Sequence, residues 1–369
     1  MKHCIVIGGG VIGMLTARAL IKRGYPVSVL EKGPFGREAS WAGGGILSPL
    51  YPWRYSDAVN RLVMASQALY PELVRTLKST TGIDPERIQS GMIVLDVVDR
   101  QVARQWADWK SVALQQIDGT EAKELEPSLL AHPGHAVFLS GVAQVRNPRL
   151  LKAVQADLYA SGAQLHPATE VTGIETSASR VVAVHTADGR RLEAETIVIA
   201  NGAWSGRLLR QAGVNLEIHP VRGQMLLLQA KPGLVRKIIL RRDHYLIPRS
   251  DGQIVVGSTV ENVGFDKNTT DQAYDELRRF AIELVPELRH APVVRHWAGL
   301  RPGCGNGIPC IGPHPEIRGL YINAGHFRNG IVMAPGSAEL LAALINGEET
   351  PVDARAYSIV SAERLAVEC

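Results

Sequence analysis

The feature that most constrains the fold of this chain is a glycine-rich turn between an apolar run and a helical pattern. The apolar residues 4–7 lead into Gly8, Gly10 and Gly13, which fit the spacing G-x-G-x-x-G. In a strand–turn–helix unit the first glycine permits a tight turn and the second lets backbone approach a pyrophosphate. The third lets helix and strand pack closely. The turn therefore predicts a dinucleotide-binding unit.

The residues around this turn supply the rest of such a unit. A helical repeat starts at Val11, Gly24 is placed to end the helix, and an apolar strand at 27–30 leads into Glu31. A carboxylate there can accept both hydroxyls of a ribose, which indicates FAD or NAD over NADP. One alternative is an ordinary strand-to-helix turn. Another is a signal peptide, because Lys2 precedes the apolar run, but its glycines and the lack of a cleavage site disfavour export.

Composition narrows the class of protein further. The chain has 369 residues, 46% of them hydrophobic, and a formal net charge of +4 without blocks of like charge. It has no apolar stretch of the roughly 18 residues that a membrane helix needs. Its four cysteines are too few and too scattered for a disulfide framework or a zinc site. We therefore expect a soluble cytoplasmic protein of about two domains, with no metal, membrane segment or nucleic-acid partner.

Predicted elements in the first half of the chain continue the dinucleotide-binding pattern. Helices are predicted at 56–80 and 150–161, followed by short strands at 164–165 and 170–174. A hairpin around the Asp188-Gly189 turn precedes a buried strand at 196–200, which would return to the first domain.

Two other segments have a different character. Residues 85–144 and 216–300 contain alternating strands that are typical of a separate antiparallel sheet. After them, a strand at 320–324, a glycine turn and a helix from about 334 to 346 would point a helix N-terminus at the cofactor. This order indicates two domains that are interleaved in sequence.

With these pieces placed, nine short strings connect the chain to a known family. In order they are VIGGGVIGMLTARAL, VSVLEKG, EASWAGGG, TIVIANGAWSG, PVRGQ, HYLIPR, VVGST, WAGLRPG and GHFRNGI. By their order and spacing the chain resembles, from end to end, the FAD-dependent D-amino-acid oxidase superfamily, and within it the bacterial glycine oxidases.

The resemblance implies an α/β fold that is α+β overall, in which a Rossmann-like FAD-binding domain is interleaved with an antiparallel-sheet substrate domain. Residues 1–84, 145–217 and 300–369 would form the FAD-binding domain. Residues 85–144 and 218–299 would form the substrate-binding domain.

The resemblance also implies which residues bind FAD, without a covalent bond. The glycine turn would hold the pyrophosphate, Glu31 the adenosine ribose and Val171 the adenine, and residues 328–333 would lie beside the flavin ring. The implied cofactor-binding residues are Gly8, Gly10, Val11, Ile12, Gly13, Glu31, Lys32, Ser40, Gly43, Gly44, Gly45, Val171, Gly202, His326, Arg328, Asn329, Gly330 and Ile331.

Matched to the family, Tyr245 and Arg301 would hold a substrate carboxylate, and Arg328 would help to define the pocket. A guanidinium fork and a phenol suit that task, because together they fix an amino acid against a hydride acceptor. Each residue has a structural alternative: a surface ion pair for Arg301, a half-buried strand position for Tyr245, and bonds to backbone carbonyls for Arg328. Ile46, Leu47, Ser48 and Val260 are expected in the pocket walls.

The reaction implied by the resemblance is oxidation of glycine, sarcosine, D-alanine or D-proline by hydride transfer to FAD, with O2 as acceptor and hydrogen peroxide as product. No residue is expected to act as acid or base, because the transfer requires only a neutral amine; His244 and His326 would be structural or pocket-lining. Neither Cys304 nor Cys310 is expected to link to the flavin. A homotetramer and a role in thiamine thiazole synthesis are also implied.

Three alternatives to this reaction stay open at this stage. A D-amino-acid dehydrogenase of the same fold would pass electrons to quinone or a partner, although Phe327 and Arg328 disfavour it. A tRNA-modifying flavin enzyme would need a basic stripe, for which only the pairs at 236–237 and 241–242 qualify. A flavoprotein without catalysis would leave Arg301 and Tyr245 without a role.

Overall fold

The computed structural model describes residues 3–132, 134–305 and 307–359. In chain order its strands are β1 (Cys4–Ile7), β2 (Val27–Leu30), β3 (Met92–Leu95), β4 (Leu114–Ile117), β5 (Ala136–Leu139), β6 (Gln164–His166), β7 (Val171–Ser177), β8 (Arg180–Thr186), β9 (Arg191–Glu193), β10 (Thr196–Ile199), β11 (His219–Gln229), β12 (Ile238–Arg241), β13 (His244–Pro248), β14 (Gln253–Gly257), β15 (Val293–Gly303), β16 (Cys310–Pro313) and β17 (Leu320–Ala324). Its α-helices are α1 (Val11–Ile21), α2 (Ala39–Ala42), α3 (Asp57–Thr81), α4 (Arg100–Lys110), α5 (Gly119–Leu125), α6 (Asn147–Ala160), α7 (Ser205–Gln211), α8 (Asp271–Leu284) and α9 (Gly330–Asn346).

A six-stranded sheet in the order β16-β17-β10-β1-β2-β6 forms the first layer. Its pairs are parallel except for β16 against β17, and β10 returns beside β1, as predicted. Side chains of β1 alternate between two cores. Val6 packs with α1, α3, α6 and α9, whereas Ile5 and Ile7 pack with α7 and the strands β7 and β8. A parallel sheet covered on both faces explains why β1 is apolar at every position.

Helix α9 begins at residue 330, four residues earlier than predicted, because α3 supports its first turns. Pro335 lies inside α9 and has no N–H to donate to the carbonyl of Ile331. The hydroxyl of Tyr70, from α3, donates to that carbonyl instead. Ser66 donates to the Met333 carbonyl at 2.8 Å and accepts from the Gly336 amide at 2.7 Å. Two α3 side chains therefore hold the N-terminal turns of α9 in place.

An eight-stranded sheet in the order β15-β11-β14-β13-β12-β3-β5-β4 forms a second layer. It combines the two segments that were expected to form an antiparallel sheet, but that expectation was wrong at one pair, since β12 and β3 run parallel. These two strands belong to different segments of the chain, so no hairpin connects them and their direction is not dictated by a turn. Helix α8 packs on one face, where Leu277, Ala281 and Leu284 are buried.

The hairpin predicted around Asp188-Gly189 is present. It joins β8 to β9 in a small antiparallel sheet, in the order β7-β8-β9. In the described part of the chain, no helix has the length and apolar character needed to cross a membrane. The mixed α/β architecture is as expected, and the exact boundaries proposed for two domains stay a prediction.

Candidate active site

A cavity of about 750 Å³ lies between the two large sheets. It is bordered by the residues that follow the carboxyl ends of β1, β2, β10 and β17 and, from the other side, by residues of β11, β13 and β15. Ligands in open α/β sheets bind outside the carboxyl ends of the strands. Every residue predicted to bind FAD or the substrate, except Gly13, lines this cavity.

The glycine turn after β1 depends on the absence of side chains. Gly8 has φ +116°, and a Cβ on it would lie 2.5 Å from the carbonyl oxygen of Ala200. A Cβ on Gly13 would lie 1.9 Å from the carbonyl oxygen of Gly8. Gly13 therefore lets α1 approach the turn and is not among the residues that line the cavity, so its assignment as a cofactor-binding residue stays a prediction. Gly10, Val11 and Ile12, at the N-terminus of α1, do face the cavity.

Glu31 is held by backbone at the end of β2. One carboxylate oxygen accepts from the Gly9 amide at 2.7 Å and the other from the Gly33 amide at 3.0 Å. Each oxygen retains a lone pair for a further donor, such as a ribose hydroxyl. Lys32 follows, with its Nζ 3.1 Å from the ring centroid of Trp204.

The segment 40–45 joins the turn to the second sheet. Ser40 Oγ accepts from the Val11 amide at 2.9 Å, so this hydroxyl fixes the start of α1. A Cβ on Gly44 would lie 3.1 Å from Cε2 and 3.4 Å from the hydroxyl of Tyr245. The Gly44 carbonyl accepts from Nη2 of Arg249 at 2.8 Å. A buried guanidinium thus holds the Gly44 carbonyl, and the space beside its Cα is filled by Ile247 and Tyr245.

At the other end of the cavity, the first turn of α9 contributes Gly330 and Ile331. His326 precedes it and is buried, with its Nε2 2.7 Å from Ser337 Oγ, which donates to Asn323 at 2.7 Å. Burial lowers the pKa of His326 to about 3, so the ring is neutral at neutral pH. His326 lines the cavity and its Nε2 is engaged with Ser337. The expectation that it is not an acid or base stays a prediction.

Arg301, near the end of β15, is the clearest candidate for binding an anion. Its Nη1 donates to the carbonyls of Arg222 and Thr259 at 3.3 and 3.1 Å, and its Nη2 to Ser258 Oγ at 2.7 Å. Among the described residues Arg301 has no carboxylate partner, so the surface ion pair considered as an alternative is not present. Nε–H and one Nη2–H remain, and this edge of a guanidinium can bind a carboxylate through two hydrogen bonds.

Electrostatics around Arg301 favour an anionic ligand. Burial lowers the pKa of the Arg301 guanidinium, the nearby phenol of Tyr245 opposes that shift, and the positive charge of Arg328 adds to it. A buried cation is costly without a counter-charge. A bound carboxylate would remove that cost.

Tyr245 and Arg328 complete this part of the cavity. Tyr245 is buried, with its hydroxyl 3.5 Å from the sulfur of Met225, so it is not on a half-exposed strand face. Arg328 has a buried Nη2 with no hydrogen-bond partner, and its Nη1 lies 3.8 Å from Asp243. No bond from Arg328 to a backbone carbonyl is formed within the described residues, which leaves its guanidinium available to a ligand.

The expected pocket walls are partly correct. Ile46 and Ser48 line the cavity, but Leu47 is packed in the core with α1, α3 and α9. Val260 is 48% exposed and does not line the cavity. Residues alternate in facing direction along an extended segment, so Leu47, between Ile46 and Ser48, points away from the cavity.

Several residues at the cavity were not predicted. Gly223 and Trp204 lie inside strings that carry the family resemblance, so a signal for them was present. Asn201 also lies inside one of these strings, TIVIANGAWSG. Phe265 has no such signal, because its position depends on contacts between distant parts of the chain. Asn201 Oδ1 is buried without a hydrogen-bond partner and therefore suits a donor from a ligand.

The model of the family described as FAD dependent oxidoreductase matches residues 3–344, so the chain belongs to the family of FAD-dependent oxidoreductases. It is 47% identical over 358 residues to a glycine oxidase of Pseudomonas aeruginosa, covering 97% of this chain and 98% of that protein. A glycine oxidase of Pseudomonas putida is 46% identical, with the same coverage. The crystal structure of glycine oxidase from Geobacillus kaustophilus aligns with a TM-score of 0.92 at 32% identity, covering 97% of this chain and 99% of that one.

The residues present fit FAD, the cofactor of this family. The glycine cradle at Gly8 has no room for a side chain, and the N-terminus of α1 faces the cavity, as pyrophosphate binding requires. Glu31 offers lone pairs to a ribose. Asn201 Oδ1 and Arg328 Nη2 are buried, unpaired and on the cavity wall.

Proposed function

We propose that this enzyme oxidises glycine and small D- or N-methyl amino acids such as sarcosine, D-alanine and D-proline, with O2 as electron acceptor. The observation that carries the proposal is the Arg301 guanidinium, a partly buried cation without a carboxylate partner among the described residues, on the wall of the FAD cavity beside Tyr245. The glycine oxidases to which the chain is similar support the choice of substrate.

In this proposal Arg301 and Tyr245 bind the substrate carboxylate. The free edge of Arg301 takes both carboxylate oxygens, and the Tyr245 hydroxyl donates to one of them. The two contacts fix the α-carbon, which removes the rotational freedom that would otherwise oppose reaction. FAD supplies the hydride acceptor when bound.

Among the described residues, the cavity wall has no carboxylate beside Arg301 and Tyr245, and the histidines that line it are His219 and His326. The carboxylates on the cavity wall are Glu31, Glu38 and Glu170, all near the predicted ribose site, and His326 is neutral and engaged with Ser337. We infer that the amino acid binds with a neutral amine, and that the protein contributes orientation and charge instead of proton transfer.

The assignment of FAD-binding residues is part of the proposal. The turn at Gly8 and Gly10 would hold the pyrophosphate, Glu31 the ribose and Val171 the adenine, and residues 329–331 would lie beside the flavin ring. FAD would be held without a covalent bond. Precipitating the protein with acid tests this, because all of the flavin should then stay in solution. A homotetramer, a cytoplasmic location and a contribution to thiamine thiazole synthesis are inferred from the family resemblance and cysteine content, and gel filtration would test the first.

The experiment that tests the function is to mix the yellow holoenzyme anaerobically with glycine, sarcosine, D-alanine and D-proline in turn, and then to admit air. We expect loss of flavin absorbance, followed on aeration by its return and by hydrogen peroxide. Loss of absorbance without return in air would indicate a dehydrogenase. No loss with any of the four would contradict the proposed substrate class.

A further inference from the structure

Phe265 is not accounted for by the binding of an amino acid. It lies in the long connection between β14 and α8, where its side chain is 53% exposed, and yet it lines the FAD cavity. A single exposed aromatic residue is ordinary on a protein surface. This one contacts a second aromatic ring: its centroid lies 5.4 Å from that of Trp204, at an interplanar angle of 32°.

The contact joins two parts of the molecule. Trp204 follows β10 of the six-stranded sheet, whereas Phe265 extends from the eight-stranded sheet. Lys32 Nζ lies over the Trp204 ring, 3.1 Å from its centroid. Lys32 directly follows Glu31. The two rings therefore lie at the end of the cavity that would hold the adenosine half of FAD.

A second contact joins the same two parts of the molecule. Lys267 Nζ lies 3.1 Å from Glu38 Oε1, at the residue that precedes α2. Burial is the main cause that lowers the pKa of Lys32, and the charges of Glu38, Glu31 and Lys267 also act on it. Phe265 and Lys267 thus both reach the rim of the cavity near Glu31.

The connection that carries Phe265 is anchored to β11 at both of its ends. The buried Arg222 guanidinium pairs with Glu261 at 2.6 Å and Asp266 at 2.5 Å, and it donates to the Asn268 carbonyl at 2.9 Å. Charge-assisted bonds of this kind are about twice as strong as neutral ones. The buried Arg222 guanidinium therefore fixes the chain on both sides of Phe265.

Gln224 of β11 adds a second anchor. Its Oε1 accepts from the Thr270 amide at 2.8 Å and its Nε2 donates to Thr270 Oγ1 at 3.1 Å. Thr270 is also the N-cap of α8, so the end of the connection and the start of the helix share one fixed point.

We propose that residues 261–268 form a clasp over the adenosine end of the FAD cavity, with Phe265 on Trp204 as its closure, and that this contact slows FAD release. The inference rests on FAD being the cofactor and is independent of which amine is oxidised. FAD cannot leave past the rim at Glu31 and Lys32 until the two rings separate. Separation exposes both rings to water and loses their mutual contact.

The test is the rate of FAD release from the holoenzyme. The holoenzyme is diluted strongly, so that released FAD does not rebind, and the flavin fluorescence that appears on release is followed with time. We expect Phe265→Ala to release FAD roughly tenfold faster than wild type, as the loss of an aromatic contact implies. Phe265→Leu, which keeps an apolar side chain, should lie between the two.

Val263→Ala is the matched control, because Val263 lies in the same clasp, is 40% exposed and does not line the cavity. Its release rate should equal that of wild type. A wild-type rate for Phe265→Ala would overturn the proposal, and a changed oligomeric state with that unchanged rate would assign Phe265 to a subunit contact. Equal acceleration by both variants would also overturn it, since the effect would then belong to the loop as a whole. No amine is used, so failure here is distinct from failure of the proposed oxidation.

Discussion

In the cavity wall, the Arg301 guanidinium fills the space that a side chain at Gly223 would occupy. A Cβ on Gly223, in β11, would lie 2.2 Å from both Nη1 and Nη2 of Arg301, in the paired strand β15. Real Cβ atoms do not approach nitrogen atoms this closely, so the guanidinium can take its position only because residue 223 has no side chain. The glycine is therefore as much part of the proposed carboxylate site as the arginine.

Gly223→Ala should displace the guanidinium and raise the KM for glycine, with kcat/KM falling roughly 10- to 100-fold as the paired hydrogen bonds to a charged group are weakened. FAD content should remain that of wild type, because Gly223 has no place in the proposed FAD contacts. Gly141→Ala is the control, since a Cβ at Gly141 would meet nothing within 4 Å. Unchanged kinetics for Gly223→Ala would mean that the position of Arg301 is unimportant for binding.

Arg301→Ala should retain yellow FAD and lose most turnover, chiefly through substrate binding. Arg301→Lys should recover only part of kcat/KM, because an ammonium cannot form the two parallel bonds of a guanidinium. The measurement is steady-state kinetics with glycine alongside FAD absorbance. Arg295→Ala, on an exposed position of the same strand, should behave as wild type. Loss of FAD from Arg301→Ala would show that the residue has been misassigned.

Arg249 should stabilise the site through its hydrogen bond to the Gly44 carbonyl. It is buried and bonded to neutral acceptors, at 2.6 Å to Gln144 Oε1, 3.0 Å to the Val145 carbonyl and 2.8 Å to the Gly44 carbonyl. Burial lowers its pKa to about 10, so it stays charged at neutral pH. Arg249→Met leaves those acceptors unpaired, which should destabilise the fold by about 3 kcal/mol.

The same substitution should also raise the KM for glycine, because the Gly44 peptide would no longer be held against Tyr245. The measurements are urea unfolding and KM. Arg279→Met, at an exposed position of α8, controls for the loss of a charge. A stability loss without any change in KM would show that Arg249 has a structural role alone.

His326 should make the protein sensitive to acid. Its folded pKa of about 3 lies below the ordinary value of 6.5, because burial disfavours the charged ring. Between these values the unfolded chain binds a proton that the folded chain does not, so stability falls as pH decreases through that window, by about 1.4 kcal/mol per pH unit.

In His326→Gln the unfolded chain has no imidazole to protonate at this position. The variant should therefore lose less stability between pH 6.5 and 5 than wild type does, whatever its stability at pH 7. Denaturant unfolding at the two pH values measures the difference. Equal slopes for wild type and His326→Gln would show that His326 is not the buried neutral group described above.

Local patterns predicted much of the fold. The glycine turn, the acidic end of β2 and the period of α3 depend on residues close in sequence, and the structure has them as expected. The parallel pairing of β3 with β12 and the start of α9 were not predicted. Both depend on residues distant in sequence: β3 and β12 belong to different segments, and Tyr70 and Ser66 of α3 hydrogen-bond the backbone of the first turns of α9.

The site follows the same division. Short strings around Gly8, Tyr245 and Arg301 predicted these parts of the cavity wall, because each recognisable motif lies within a few consecutive residues. Arg249 as a support for Gly44, and Phe265 on Trp204, could not be found that way. Each joins positions more than 60 residues apart in the printed sequence, and no local pattern reports such a contact.

The central claim, that a substrate carboxylate is bound by Arg301 against the flavin, is tested most directly by comparing glycine with methylamine. The holoenzyme is mixed anaerobically with each, and the rate of loss of flavin absorbance is measured at matched concentrations of neutral amine. We predict that methylamine, which has no carboxylate, reacts on the order of 100-fold more slowly than glycine, and that Arg301→Ala removes most of this difference. Equal rates for the two amines with the wild-type enzyme would contradict the account.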